Sequence, residues 1–268
     1  MKTALKAAIA GDPDPKASVP ATQAKGGALV DESAFDGLPT GFENVTAKDL
    51  VIPRIVVLQG LSPQLNKNKP EYIEGASNGD FCDVATGSIW KADLELIPCH
   101  FAVVHLEWGA RDSGKGLVAN HGTDALKARK HAKQNERGQW ITDEGNIIAD
   151  TATFYCLNMS DGGQRCFVPM SSTALKDARL WMTTMAKLKL EDGRQAPIYS
   201  RSWIANTTSK SNAKGDWNGW KFRPGRKTLE IGGTALRDEA LRFLKEAKEG
   251  LVQGSFDRED GEEDSDKM

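Results

Sequence analysis

Residues 199–227, YSRSWIANTTSKSNAKGDWNGWKFRPGRK, decide how the rest of the chain is read. Tyr199, Trp203, Trp217, Trp220 and Phe222 are interleaved with Arg201, Lys210, Lys214, Lys221, Arg223, Arg226 and Lys227. Asp216 is the only acid, so the stretch carries a net charge of +6. Residues 203–205 and 217–222 read as two strands, joined by a polar run (207–215) that can turn but has no core to build. Aromatic rings spaced along a basic hairpin supply what one nucleic-acid strand needs: flat faces for bases and cations for phosphates. The competing reading is an ordinary core hairpin with a solvated loop, since Trp is buried more often than not. Trp217 and Trp220 are three apart, so in a regular strand they face opposite ways. Trp217 is expected to be the outward one.

At 268 residues the chain can bury a real core as one large domain or two small ones. No apolar run approaches the ~18 residues of a membrane span. Lys6 interrupts the apolar stretch at the start of the chain, leaving no secretion-signal core. The expected compartment is the cytoplasm, with no membrane partner. The net charge of −2 hides an asymmetry: residues 257–268 hold seven acids against Arg258 and Lys267, a net of −5, leaving +3 on the remainder. A mildly basic body with an acidic, non-aromatic end suits an anionic partner for the one and a solvated tail for the other.

Outward from the hairpin, the chain reads as short β segments and two amphipathic helices. Residues 1–33 have no apolar period and read as a flexible arm. Residues 51–59, VIPRIVVLQ, form an edge or lead-in strand with Pro53 early on. Residues 81–90 hold short strands about a tight turn at Ala85-Thr86-Gly87. LELIPCHFAVVHLEW (94–108) is one long strand bent at Pro98, with Phe101, Val103, His105 and Glu107 on one face. Residues 123–137, rich in Lys and Arg, read as a short exposed helix capped by Thr123. Hairpins are expected to turn at Asp143-Glu144-Gly145 and Asp161-Gly162-Gly163. The helical period returns at 172–190, through Leu175, Ala178, Met182, Met185 and Leu188, and again at 234–248 with Thr234 as cap.

Chemistry is hard to place on this chain. Cys82, Cys99, Cys156 and Cys166 form no CxxC pair, and the four histidines stand in no HExxH or HxH context. No phosphate loop or GxGxxG fingerprint occurs. Asp80, Asp83, Asp93 and Glu95 lie near one another in sequence, yet no acid-x-lysine follows to complete a metal-dependent nuclease site. No catalytic residue, metal ligand or cofactor is assigned, and the chain is read as a non-enzyme.

Five segments, VIPRIVVLQGLSPQL, GDFCDVATGSIW, HLEWGARDSGKGLVANH, FVPMSSTALKDARLWMTTM and PIYSRSWIANTTSKSNAKGDWNGWKF, occur in an order that resembles phage-encoded single-stranded DNA-binding proteins. The resemblance covers about residues 51–222 and includes no catalytic signature. It implies a mainly β fold with helices (α+β): an OB-like antiparallel β-barrel with helical insertions over residues 34–250, behind a flexible arm (1–33) and before an acidic tail (251–268). It further implies sequence-tolerant binding of single-stranded DNA in phage replication or recombination. Partner replication or recombination proteins would meet the tail, and homo-oligomers are compatible with it. On that reading Arg111, Lys115, Lys210, Lys214, Lys221 and Arg223 neutralise phosphates, giving strong salt dependence. Trp108, Trp203, Trp217 and Trp220 stack bases, each worth ~1–3 kcal/mol on truncation. Two alternatives stand beside it: a phage structural or protein-interaction module without DNA binding, and a strand-annealing recombinase.

Overall fold

The computed structural model describes residues 41, 51–110, 113–213, 215–252 and 256. The frame is β4 (Leu94–Trp108), the long strand expected from its β-branched, two-sided apolar sequence. It pairs antiparallel with β8 (Ile147–Asn158) along nearly its whole length, and the register slips between Pro98 and His100. The proline brings no amide to the ladder, and the bulge beside it absorbs the bend. At its start β4 pairs with β10 (Arg201–Asn212), and at its end with β5 (Leu117–Asn120). β10 pairs in turn with β11 (Gly215–Lys227), and β8 with β7 (Trp140–Thr142) and β9 (Gln164–Ser171). β7 ends the array by pairing with β6 (Ala132–Gln134).

This eight-stranded sheet is antiparallel and runs open from β11 to β6. A second sheet holds β1 (Ile55–Val57), β2 (Phe81–Asp83) and β3 (Ile89–Trp90). The β2–β3 turn is the expected one: Asp83 accepts from the Ala85 amide and the Thr86 hydroxyl, and Gly87 takes positive φ. A parallel bridge, Arg54 to Phe167, links the two sheets. On the far side the Gln59 side chain bonds both the N–H and the C=O of Asn218 in β11. The expectation of a closed barrel is therefore corrected. The chain is mainly β with a few helices, and its strands do not close on themselves: the residues flanking β1 meet the large sheet through the Arg54 bridge and the Gln59 amide, not through a ladder.

Both faces of the large sheet are covered. On one, Ile55, Val57 and Phe81 of the small sheet and Trp181 of α2 (Leu175–Ala186) pack with Leu94, Leu96, Phe154, Trp203 and Trp220. On the other, Ala240 and Phe243 of α3 (Thr228–Lys248) pack with Ile97, Cys99, Leu106 and Leu157. α3 starts earlier than the expected residue 234 and breaks at Gly232–Gly233, where Gly233 has φ 61°, a conformation a side chain would strain. Val252 and Phe256 are buried in this second core, so ordered packing overruns the expected boundary at residue 250. The remainder of the acidic tail and the whole N-terminal arm lie outside the described residues.

The basic segment departs most from expectation. Instead of a helix over 123–137 there is one turn, α1 (Ala125–Ala128), capped by Asp124 rather than Thr123, and then β6. The segment has no apolar stripe to dock, and a short helix without one is marginal in water. Pairing with β7 captures the second half instead.

Candidate nucleic-acid interface

The hairpin that dominates the sequence folds inward. Trp203 is 0% exposed and Trp220 6%, both in the first core. Phe222 stacks flat on Trp181, 3.8 Å between centroids, and lies parallel to Trp220 at 5.6 Å. The pairing of Ala205 with Phe222 and of Thr207 with Trp220 turns this face toward α2 and the small sheet. Trp203 and Trp220 are therefore corrected from stacking residues to core residues. Trp217 is half-buried, the more open of the GDWNGW pair, although its Nε1 is buried without a partner. Trp108 is half-buried against the second core, on the opposite side of the sheet from Trp203 and Trp220.

The hairpin cations are largely engaged within the protein. Lys210 is paired with Asp177, a buried carboxylate that also accepts the Trp220 amide. Arg223 binds Asp93 at 2.6 Å and Arg226 binds Glu95 at 3.0 Å. Hydrogen bonds from Asn206 and then Arg223 hold the Asp93 carboxyl below its ordinary value. Burial pushes Glu95 up, but Arg226 and Ser202 outweigh it and leave that carboxyl lowered too. Lys221 and Lys115 are exposed with no described ion pair. Arg111 and Lys214 lie outside the described residues. Among the described residues the expected site is thus not gathered in one groove: two rings are core, two cations are paired, and Lys115 sits beyond the opposite end of β4.

That opposite end carries a polar constellation which the sequence reading did not assemble. Phe101, Val103, His105 and Glu107 share a face of β4, opposite Phe154, Ala152, Asp150 and Ile148 of β8. His105 Nδ1 lies 2.8 Å from Asp150, and Arg129 donates to both Asp150 oxygens at 2.7 and 2.8 Å. The Arg129 guanidinium also sits 5.1 Å above the Trp140 ring. Beside this group Glu107 bonds His121 at 2.8 Å and Asn146 at 2.7 Å. Burial pushes the Asp150 carboxyl up, yet the hydrogen bonds from Arg129 and His105 prevail and hold it below its ordinary value. Arg129 thus pins the α1–β6 segment onto the sheet, and its neighbours are left outside: Lys127, Lys130, Lys133 and Arg137 are exposed, with no ion pair among the described residues. From Lys115 to Arg137 six Lys and Arg face two acids, Asp124 and Glu136. The signal that could have found this lobe was the half-buried Trp140 only three residues beyond a run of cations.

The lobe thus exposes cations that no acid among the described residues neutralises. Among the described residues no three His, Cys, Asp or Glu side chains gather where a metal ion would sit. The carboxylates nearest a nuclease pattern are engaged by Arg223, Arg226 and the β2–β3 turn. The four cysteines are free and buried, and burial pushes each thiol up, Cys82 to about 12. No described helix is long and apolar enough to cross a membrane. No curated protein and no solved structure matches the chain. A family model described as Pam3 phage gp34-like protein matches residues 21–253, most of the sequence, and the chain is a phage protein belonging to that family.

Proposed function

We propose that this chain is a non-enzymatic, sequence-tolerant single-stranded DNA-binding protein of phage replication or recombination, and that the strand lies on the α1–β6 lobe rather than along the β10–β11 hairpin. One observation carries the reading: Lys127, Lys130, Lys133 and Arg137 are exposed and unpaired among the described residues, beside the half-buried ring of Trp140. Hairpin cations of the same formal charge are mostly held by acids of the protein itself. An unneutralised cation gains by releasing the counterions of a phosphate chain; a paired one first has to break its own contact. Because the sheet is open, the proposal rests on this surface and not on kinship with OB-like barrels. The acidic end of the chain is the part proposed to meet replication or recombination proteins.

The test is an anisotropy titration of fluorescent oligo-dT at two salt concentrations, with duplex as competitor. Wild type is expected to prefer the single strand and to weaken steeply with salt. Replacing Lys127, Lys130, Lys133 and Arg137 by Ser removes about 0.7 per cation, roughly 3 in all, from the slope of log K against log salt. Absence of binding at low salt would refute the proposal and leave a phage structural or protein-interaction module. Acceleration of complementary-strand pairing would point to an annealing recombinase.

A further inference from the structure

α2 carries a second cationic surface, separate from the lobe. At 100° per residue Lys176, Arg179, Leu180, Thr183 and Lys187, the last at the C-cap, fall in one narrow row. All five are exposed, Leu180 at 67%, while Ala178, Trp181 and Met185 face the core. The helix has one acid, Asp177, and it is turned away toward β11, where Lys210 and the Trp220 amide take it. No ion pair among the described residues engages Lys176, Arg179 or Lys187.

Two of these three cations are placed against the helix that bears them; Lys187, at the C-cap, is not. Lys176 and Arg179 stand in the first half of α2, where the macrodipole is positive, and the last turn contains no basic residue. Selection for helix stability alone favours the reverse order. Cations at the positive end of a helix reinforce its attraction for an external anion, which an interaction surface uses and a merely solvated face does not.

α2 also lies within reach of the lobe. Its Trp181 ring packs 4.4 Å from Phe154, and Arg129 of the lobe binds Asp150. Those two anchors are four residues apart on the same face of β8, about 13 Å. Between them β4 presents Val103, and Phe101 packs beside Phe154, both half-buried. Resting on the function proposed above, we infer that the α2 row is a second phosphate-contacting surface, engaged by the same DNA strand once it is long enough to run past the lobe.

Two probes separate this inference from its premise: a short oligo-dT of ~8 nucleotides and a long one of ~30, chosen around the ~4–16 nucleotides one such binding module covers. The triple variant Lys176→Ser, Arg179→Ser, Lys187→Ser removes only exposed groups, and an unchanged CD melt verifies its fold. It is expected to bind the short strand like wild type, and to lose about 2 from the salt slope for the long strand, at 0.7 per cation. A long-strand slope equal to wild type overturns the inference while the lobe reading stands. Equal weakening for both strands also overturns it, because the row then belongs to the primary site. If wild type binds neither strand, both readings fall together.

Discussion

Trp203→Ala separates a core indole from a base-stacking one. Trp203 has no exposed surface, packs edge-on to Trp181 at 6.3 Å, and is flanked in the sheet by Leu96 and Pro224. A buried aromatic of this kind covers ~150–250 Å². At ~25 cal/mol per Å² that is about 4–6 kcal/mol, an upper bound because the unfolded chain already shields part of it. Truncations of buried Phe and Trp to Ala fall at ~3–5 kcal/mol, and strands on both sides of β10 keep this site from collapsing around the gap. A loss of about 4 kcal/mol is therefore expected, lowering Tm by roughly 8–16 °C for a domain of this size. Urea unfolding followed by far-UV CD measures it without relying on the indole being removed. The folded variant is expected to bind oligo-dT as wild type does. Near-native stability combined with weakened binding would refute the core assignment and return this ring to the nucleic-acid surface.

Three further outcomes are expected. Lys210→Met leaves the 6%-exposed Asp177 without its cation and destabilises by about 3 kcal/mol, whereas Lys221→Met, on an exposed side chain, stays within ~0.5 kcal/mol; equal losses in urea melts would contradict the pairing. Asp150 is held below its ordinary value, so its contribution is full above the unfolded carboxylate pKa of ~3.9 and disappears as pH falls through the lower native value. Asp150→Asn should flatten the decline of Tm below about pH 4, and parallel Tm–pH curves for variant and wild type would remove the anchor role. Iodoacetamide at about pH 8 should leave all four thiols unmodified in the native protein and label them in urea, since burial raises each pKa; rapid native labelling would show an open thiol.

Much of the scaffold was legible because it follows local rules. β4 shows its full span and its bend in sequence, the latter because Pro98 has no amide to give the ladder. The turns at Gly87, Gly145 and Gly162-Gly163 follow from residues that take positive φ freely. α2 is written in the spacing of Leu175, Ala178, Met182, Met185 and Leu188, although Trp181, which that stripe leaves out, is buried while Met182 is only half-buried. The candidate site was less legible, for a physical reason. Whether Trp203 and Trp220 face bases or core depends on which side of β10–β11 is covered, and α2 and the small sheet, distant in sequence, decide that. The availability of a cation likewise depends on its acid: Asp177 is 33 residues from Lys210, and Asp93 is 130 from Arg223. The α1–β6 segment reads as a helix by composition alone, and only the pull of Asp150 on Arg129 and of β7 on β6 explains its actual course.

The Gln59 amide has a consequence for how copies of this protein can meet. β11 is the last strand of its sheet, and such a margin normally offers bare amides and carbonyls on which a neighbouring molecule can zip up. Here Gln59 occupies both backbone groups of Asn218, and Asp177 occupies the amide of Trp220. Over that stretch two side chains, one of them carried by α2, stand in for the missing strand, and a neighbouring strand could pair there only by displacing them. A second copy adding a strand to this margin would have to begin beyond residues 218–220.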